Sequence, residues 1–471
     1  MEEIISSAIN SFSKFLNENA ETLRSNQSTN LIISFAIETR NFSLDGKIDE
    51  LLKGTERSFY FEKPYSDFKL FAKNEILSFT ENGDGRFSIT DKKIKEWKDC
   101  IVNNWDIIGN NQVPLLLGGM KFMVEHSDNA WQEFNDSAWF IPRSMVLQTG
   151  SKSFIITNFI YPVKSSTQAL VSVLRSKLEY FFKLESKEIP SLPGIRKIDG
   201  NSPKEKKKWK QIIEEALEEI EQNNIQKVVL ARKVELLLVG APAIEAILQK
   251  FRADYNSCNL FIFHKGNSFF WGASPELLGR FSQGTVKIDA LAGSAKRGTD
   301  KTQDIEFENQ LLSSQKDISE HKFVVDHLKN LLSIFSDNIT VSEKPGIKKL
   351  PNIQHLFSEI SAELNSDTSI LSVLKEIYPT PAICGSPKGN ALHLIKKLEK
   401  FNRGLYSGII GWFNFDNEGE FIVALRSAVS TGQKVTAFAG SGIVRDSNPD
   451  EEFLETNLKL KPVMTLFVNE N

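Results

Sequence analysis

Cysteine is scarce in this 471-residue chain, and its three copies, Cys100, Cys258 and Cys384, lie far apart, none in a C-x-x-C pair or beside a cluster of histidines. That spacing excludes a disulfide framework and a cysteine-based zinc site. Long apolar runs are missing too: no uninterrupted stretch approaches the roughly 20 residues a membrane span needs. The opening Met-Glu-Glu-Ile-Ile is acidic where a signal peptide is basic, so a cytoplasmic protein is expected. Neither sign of charge is in excess, since 57 basic and 60 acidic residues leave a formal net charge of -3. No global field then draws the chain to nucleic acid or to an anionic membrane, and a small-molecule partner is expected. Short-period repeats and low-complexity segments are absent as well, which argues against repeat architectures and disordered tracts.

What is present suffices for a large core, with 41% hydrophobic and 25% charged residues. Length alone allows two or three domains, but the motifs in the C-terminal half argue for one. Ile4, Ile5, Ala8, Ile9, Phe12, Phe15 and Leu16 recur at helical spacing and predict an amphipathic helix over residues 3–24. From Leu31 to about Ile160, short apolar runs alternate with turn residues and read as a strand-rich half. Residues 188–206, with Pro190, Pro193, Gly194, Gly200 and Pro203, form the best linker candidate. A helix is predicted over 204–222, strands over 228–239, 260–263, 269–271 and 286–291, and one long helical segment over 305–335. The last hundred residues are expected to hold two strands, 421–429 and 435–439.

Five strings in the C-terminal half could carry chemistry. Lys227 opens Lys-Val-Val-Leu-Ala-Arg, at the mouth of an apolar strand; taken alone, a lysine snorkelling from a sheet edge is the commoner explanation. Glu276, in Ala-Ser-Pro-Glu-Leu-Leu, is stiffened by Pro275 and followed by leucines. A carboxyl held against apolar surface has a raised pKa and can act as a general acid, though a turn-capping glutamate fits equally. Leu291-Ala-Gly-Ser-Ala-Lys-Arg-Gly298 has the G-x-x-x-x-G spacing of a phosphate loop, but Thr299 stands where the lysine belongs. Gly293 could instead offer backbone N–H groups to a small carboxylate, with an ordinary turn about as good a reading. Glu320 borders the apolar stripe of its helix and could ligate a hard cation, whereas His321 lies within the stripe and reads as a core histidine. Asn448, Pro449 and Glu451 initiate a helix. Glu452 and Glu455, left over on one face, suit Mg²⁺, although a solvated face is the simpler account of the spacing. Arg426 alternates with Ile422, Ala424 and Ala428 on one expected strand face, where a guanidinium among small residues needs an anionic partner.

Together and in order, the strings Lys-Val-Val-Leu-Ala-Arg, Ser-Pro-Glu, Leu-Ala-Gly-Ser, Ser-Glu-His-Lys-Phe-Val-Val-Asp, Ile-Gln-His-Leu, Pro-Thr-Pro-Ala, Val-Ala-Leu-Arg-Ser-Ala, Phe-Ala-Gly-Ser-Gly-Ile-Val and Glu-x-x-Glu-Thr resemble the blocks of the chorismate-utilising enzymes, most closely the isochorismate synthase branch. The N-terminal half matches more weakly, in Leu117-Gly-Gly-Met-Lys-Phe and Trp131 to Pro142. The resemblance implies an α/β (α+β) fold: one large domain over 1–471, two extensive antiparallel β-sheets packed face to face, helices outside. Residues 1–200 would be a structural N-terminal half and 201–471 the catalytic half, with the 190–203 stretch an internal connection. It implies Lys227 as the base that deprotonates the attacking water and Glu276 as the acid that protonates the departing hydroxyl. Glu320 and Glu455 would ligate Mg²⁺, with Glu452 holding a metal-bound water. Gly293, Gly440 and Arg426 would receive substrate carboxylates, Ser294 would join them in binding, and Ala382 and Tyr406 would wall the ring.

Within that family, the aminodeoxychorismate branch has a lysine where Ala292 stands, and anthranilate synthases typically have glutamine at the position of Lys227. The resemblance therefore favours water addition with no glutaminase subunit, in a monomer or weak homodimer. Salicylate synthase, which goes on to eliminate pyruvate, shares the lysine and is the runner-up. A non-catalytic protein that binds a small anion is the alternative from another class.

Overall fold

The computed structural model describes residues 2–25, 30–39, 42–109, 113–124, 129–161, 166–350 and 353–468. Among them, 21 strands join into one continuous hydrogen-bonded network, antiparallel except where Leu31–Thr39 pairs with Ile101–Asn103. The network has two arms that share the long strands Phe68–Glu81 and Ser137–Thr149. Residues 137–140 of the latter pair with Leu116–Met120, and residues 144–149 pair with Lys152–Tyr161. The fork falls at Pro142, which has no amide hydrogen to give a ladder, and the facing strand shifts register between Glu75 and Leu77. A bulge of this kind bends a strand and re-aims the residues beyond it.

From the fork, the first arm runs through Arg57–Lys63, Asn259–Lys265, Ser268–Ser274, Ser427–Thr431 and Lys434–Ile443 to Lys227–Leu238. The second runs through Leu116–Met120, Ile409–Phe413, Gly419–Val423, Leu277–Ser282 and Thr285–Lys296 to Ile353–Glu363. Period-two alternation sorts the side chains of the first arm. Phe59, Phe61, Phe261 and Phe263 enter a core that also takes Ile410, Trp412 and Phe421 from the second arm. Tyr60, Leu260 and Ile262 point the other way, into a second core closed by the helices Glu2–Glu18, Thr167–Lys183, Ile244–Asp254 and Pro449–Met464. The expected two-layer, helix-covered domain is therefore present, and its two sheets are continuous through the shared strands.

Several sequence expectations change. The helix over 3–24 is two, Glu2–Glu18 and Ala20–Ser25. The 305–335 segment is also two, Lys301–Ser313 and Gln315–Leu332, because Ser314 turns extended and caps the second by accepting from the Asp317 N–H. The described part of the last hundred residues holds five strands, not two: Gly385–Ser386, Ile409–Phe413, Gly419–Val423, Ser427–Thr431 and Lys434–Ile443. The supposed 421–429 strand breaks at Arg426, whose φ of 51° is left-handed. Arg426 thus shares no strand face with Ile422, Ala424 and Ala428. The glycine string from 291 to 298 is not a turn; the strand runs on to Lys296, and Gly293, at φ 73°, sits where its register shifts. The proline-rich stretch is an internal connection whose Ile195–Asp199 strand pairs with Lys227–Leu238.

Candidate active site

The chain crosses between the arms at two short links that lie side by side. Pro275 and Glu276 join Ser268–Ser274 of the first arm to Leu277–Ser282 of the second, and residues 424–426 carry Gly419–Val423 back to Ser427–Thr431. The Val423 N–H donates to the Glu276 carbonyl at 3.1 Å, and the Ala273 N–H donates to the Arg426 carbonyl at 3.3 Å. Ser274 Oγ donates to the Val423 carbonyl at 2.5 Å and accepts from the Glu276 N–H at 3.2 Å. These bonds hold Glu276 and Arg426 in fixed relation.

Burial pushes the Glu276 carboxyl up to about 7, although Lys348 and Arg426 oppose the shift. Lys348 is engaged by Asp289 at 2.7 Å. Arg426 makes no side-chain hydrogen bond or ion pair among the described residues. Burial disfavours its charge, and Tyr406, Cys258, Glu455 and Glu276 are the groups whose fields support it. It lines a cavity of about 220 Å³ together with Tyr255, Cys258, Ser294, Glu455 and Lys459. A guanidinium left without a partner at a cavity wall is a site for a carboxylate.

Across the cavity, the Pro449–Met464 helix starts at Asn448, whose side chain accepts from the Asp450 and Glu451 N–H groups. One turn on, Ser441 Oγ donates to Glu452, and Glu455 lies close enough to feel the Ser441 hydroxyl and to act on the Glu452 charge. Burial pushes Glu452 up. Burial also acts on Glu455, but Lys459, Ser441 and Arg426 outweigh it and hold that carboxyl below its usual value. Lys459 pairs with Glu455 at 2.5 Å and donates to the Gly440 carbonyl at 3.1 Å. Two neighbouring carboxylates, one raised chiefly by burial and in lesser part by the other's charge, fit a hard cation that takes one or two carboxylates and fills its remaining positions with other oxygens. Lys227, at the start of its strand, donates to Glu320 at 2.9 Å, and a Cβ on Gly442, next to Ser441, would stand 3.1 Å from Lys227 Cε. Glu320 is thus tied to the site through Lys227, and among the described residues no three His, Cys, Asp or Glu side chains gather as a metal cage.

The remaining expected positions fall around these groups. A Cβ on Gly440 would stand 3.3 Å from the Tyr406 hydroxyl, and the Tyr406 ring stacks on Phe438 at 5.3 Å. Ser294 Oγ hydrogen bonds to His355 Nδ1 at 2.7 Å. Burial, with Lys459 and Arg426, pushes His355 down to about 4, so the imidazole is neutral at pH 7. Ala382 and Glu276 line one small recess. His321 is a core residue bonded to Ser358 at 2.9 Å. Sequence reasoning passed over Ser441, Lys459, Asp289, Lys348 and His355. Lys459 had a signal, since 452, 455 and 459 follow one helix face; the others arrive from separate strands.

The model of the family described as chorismate binding enzyme matches residues 15–468. The chain belongs to that family. It is 32% identical over 431 residues to isochorismate synthase MenF of Bacillus subtilis, covering 89% of each chain. It is also 32% identical over 408 residues to the salicylate biosynthesis isochorismate synthase of Pseudomonas aeruginosa, covering 85% of this chain and 83% of that one. The solved structure of MenF, the menaquinone-specific isochorismate synthase from Escherichia coli, superposes with a TM-score of 0.78 at 24% identity, over 96% of this chain and all of that one. Anthranilate synthase component I from Streptococcus pneumoniae superposes at 0.71 and 21% identity, over 85% of this chain and 92% of that one. At those identities the two structures speak to the fold. This chorismate-binding enzyme also has no helix, among the described residues, long and apolar enough to cross a membrane.

Proposed function

We propose that this chorismate-binding enzyme is a Mg²⁺-dependent isochorismate synthase, an isomerase that adds water at ring C2 of chorismate and expels the C4 hydroxyl. The observation that carries the reading is the Glu276 carboxyl, held near 7 by burial on a link beside a guanidinium with no partner among the described residues. Chorismate brings two carboxylates; Arg426 takes one in its planar fork, and the backbone at Gly293 and Gly440 offers further polar groups. Tyr406 and Ala382 bound the ring, and Ser294, fixed by neutral His355, completes the wall.

Glu320 and Glu455 would hold Mg²⁺ with Glu452 alongside, and the ion supplies neutralisation of a substrate carboxylate and fixes the ring's orientation. Lys227 takes the proton of the attacking water on the lone pair of Nζ; as the ammonium that pairs with Glu320 it has none, so for this step it must first leave Glu320 and give one proton to solvent. Glu276 gives its proton to the departing C4 oxygen, which leaves as water, and Lys348 and Arg426 stabilise the carboxylate that remains. All these groups lie between residues 227 and 459, so the C-terminal half performs the chemistry and the N-terminal half supports it.

The test is to incubate the protein with chorismate, with and without Mg²⁺ and with ammonium, and to separate the products. Isochorismate formed only with Mg²⁺, and no aminated product, is expected. Salicylate with pyruvate would make it a salicylate synthase, and chorismate binding without turnover would leave a small-anion-binding protein.

A further inference from the structure

The recess beside Glu276 is about 10 Å³, lined by Asp289, Thr380 and Ala382 and by apolar groups that include Val324 and Leu328. That is close to one probe sphere, the smallest space that holds a water, provided that polar partners face it. Thr380 is 6% exposed, and its Oγ1 is buried with no hydrogen-bond partner among the described residues. The Thr380 carbonyl is used, accepting from the Ile383 and Cys384 N–H groups, so the backbone explains the turn but not the hydroxyl. Asp289, on the same recess, is held by Lys348. A buried hydroxyl without a partner is destabilising, and such groups call for a missing ligand or water.

We propose that the recess receives the expelled C4 hydroxyl as a single water, and that Thr380 Oγ1–H donates to that oxygen as it leaves. This rests on the reading of Glu276 as the acid. The C4–O bond breaks with its electron pair going to oxygen. The Glu276 proton moves to that oxygen, and the water formed lies between Thr380 Oγ1 and the new Glu276 carboxylate, to which it donates.

The experiment compares Thr380→Val, Thr380→Ser and Glu276→Gln for kcat, chorismate KM and thermal midpoint. Thr380→Val keeps the shape and removes the unpaired hydroxyl. We expect its kcat to fall about tenfold, the rate equivalent of one hydrogen bond, with KM unchanged and the thermal midpoint no lower than wild type. Thr380→Ser, which keeps the hydroxyl, should restore most of kcat. A wild-type kcat in Thr380→Val overturns the inference, as does a loss that comes with a lowered midpoint and is not restored by serine. If Glu276→Gln is inactive while Thr380→Val is normal, only the role of Thr380 fails; if Glu276→Gln turns over normally, the reading of Glu276 fails and this inference with it.

Discussion

At the scale of single residues, the site depends on two groups placed where a protein ordinarily avoids them. Glu276 titrates near 7 rather than near 4.5, so its proton is available at neutral pH and is lost above it. We expect Glu276→Gln to lower kcat by on the order of 10²–10⁴ with chorismate binding little changed, and wild-type kcat/KM to fall as pH rises through about 7. Stability follows by linkage. The unfolded chain releases this proton near 4.5 and the folded one near 7, so wild type loses stability as pH rises across that window. The Gln variant escapes that loss, and melting curves from pH 4 to 8 should show its midpoint gaining on wild type between those values. Arg426 combines a charge without a partner among the described residues and a left-handed φ of 51°, a conformation that costs a non-glycine residue roughly 1–2 kcal/mol. Arg426→Lys should weaken chorismate binding by about 1.5–3 kcal/mol, read as KM or by calorimetry. Arg426→Gly should bind as poorly as Arg426→Ala yet melt higher, which would show that the strain is held for function.

At the scale of elements, the two ends of the site differ in how openly the sequence declares them. The Pro449–Met464 helix was legible, because Asn448 as cap and Pro449 at its first position are local signals. The cap orients Glu452 and Glu455 one turn later. Asn448→Ala should therefore cost about 0.5–2 kcal/mol in denaturant unfolding and raise the Mg²⁺ needed for half activity. Glu455→Gln should raise that requirement far more while leaving unfolding nearly unchanged, since Glu455 is proposed to touch the ion. The links at 275–276 and 424–426 were not legible. Periodicity carried a strand straight through Arg426, because nothing in Ala-Leu-Arg-Ser signals a left-handed residue; the break exists because the chain must leave one arm for the other. The helix break at Ser314 is similar, although serine as a cap was a signal that could have been read.

At the scale of the whole molecule, the halves of the chain are interleaved. Asn259–Lys265 pairs with Arg57–Lys63, and Ile409–Phe413 pairs with Leu116–Met120, so strands near the site find partners in the N-terminal half. A fragment of residues 201–471 would expose both edges and the phenylalanines behind them. We expect it to lack a cooperative thermal transition by circular dichroism and to bind no chorismate, although it carries every proposed catalytic residue. The sequence by itself determined the family, since nine strings in order match its blocks, and it determined the strand-rich, helix-covered class, because alternation and helical spacing are local properties of the chain. Only the tertiary structure decided that the arms are continuous and fork at Pro142. It alone set Glu276 beside Arg426 on adjoining links, and it brought Lys459, Asp289, Lys348 and His355 to them. Those relations join residues as far apart as Leu116 and Phe413, and they follow from strand pairing and from the exclusion of water around charged groups, neither of which leaves a mark at any one place in the chain.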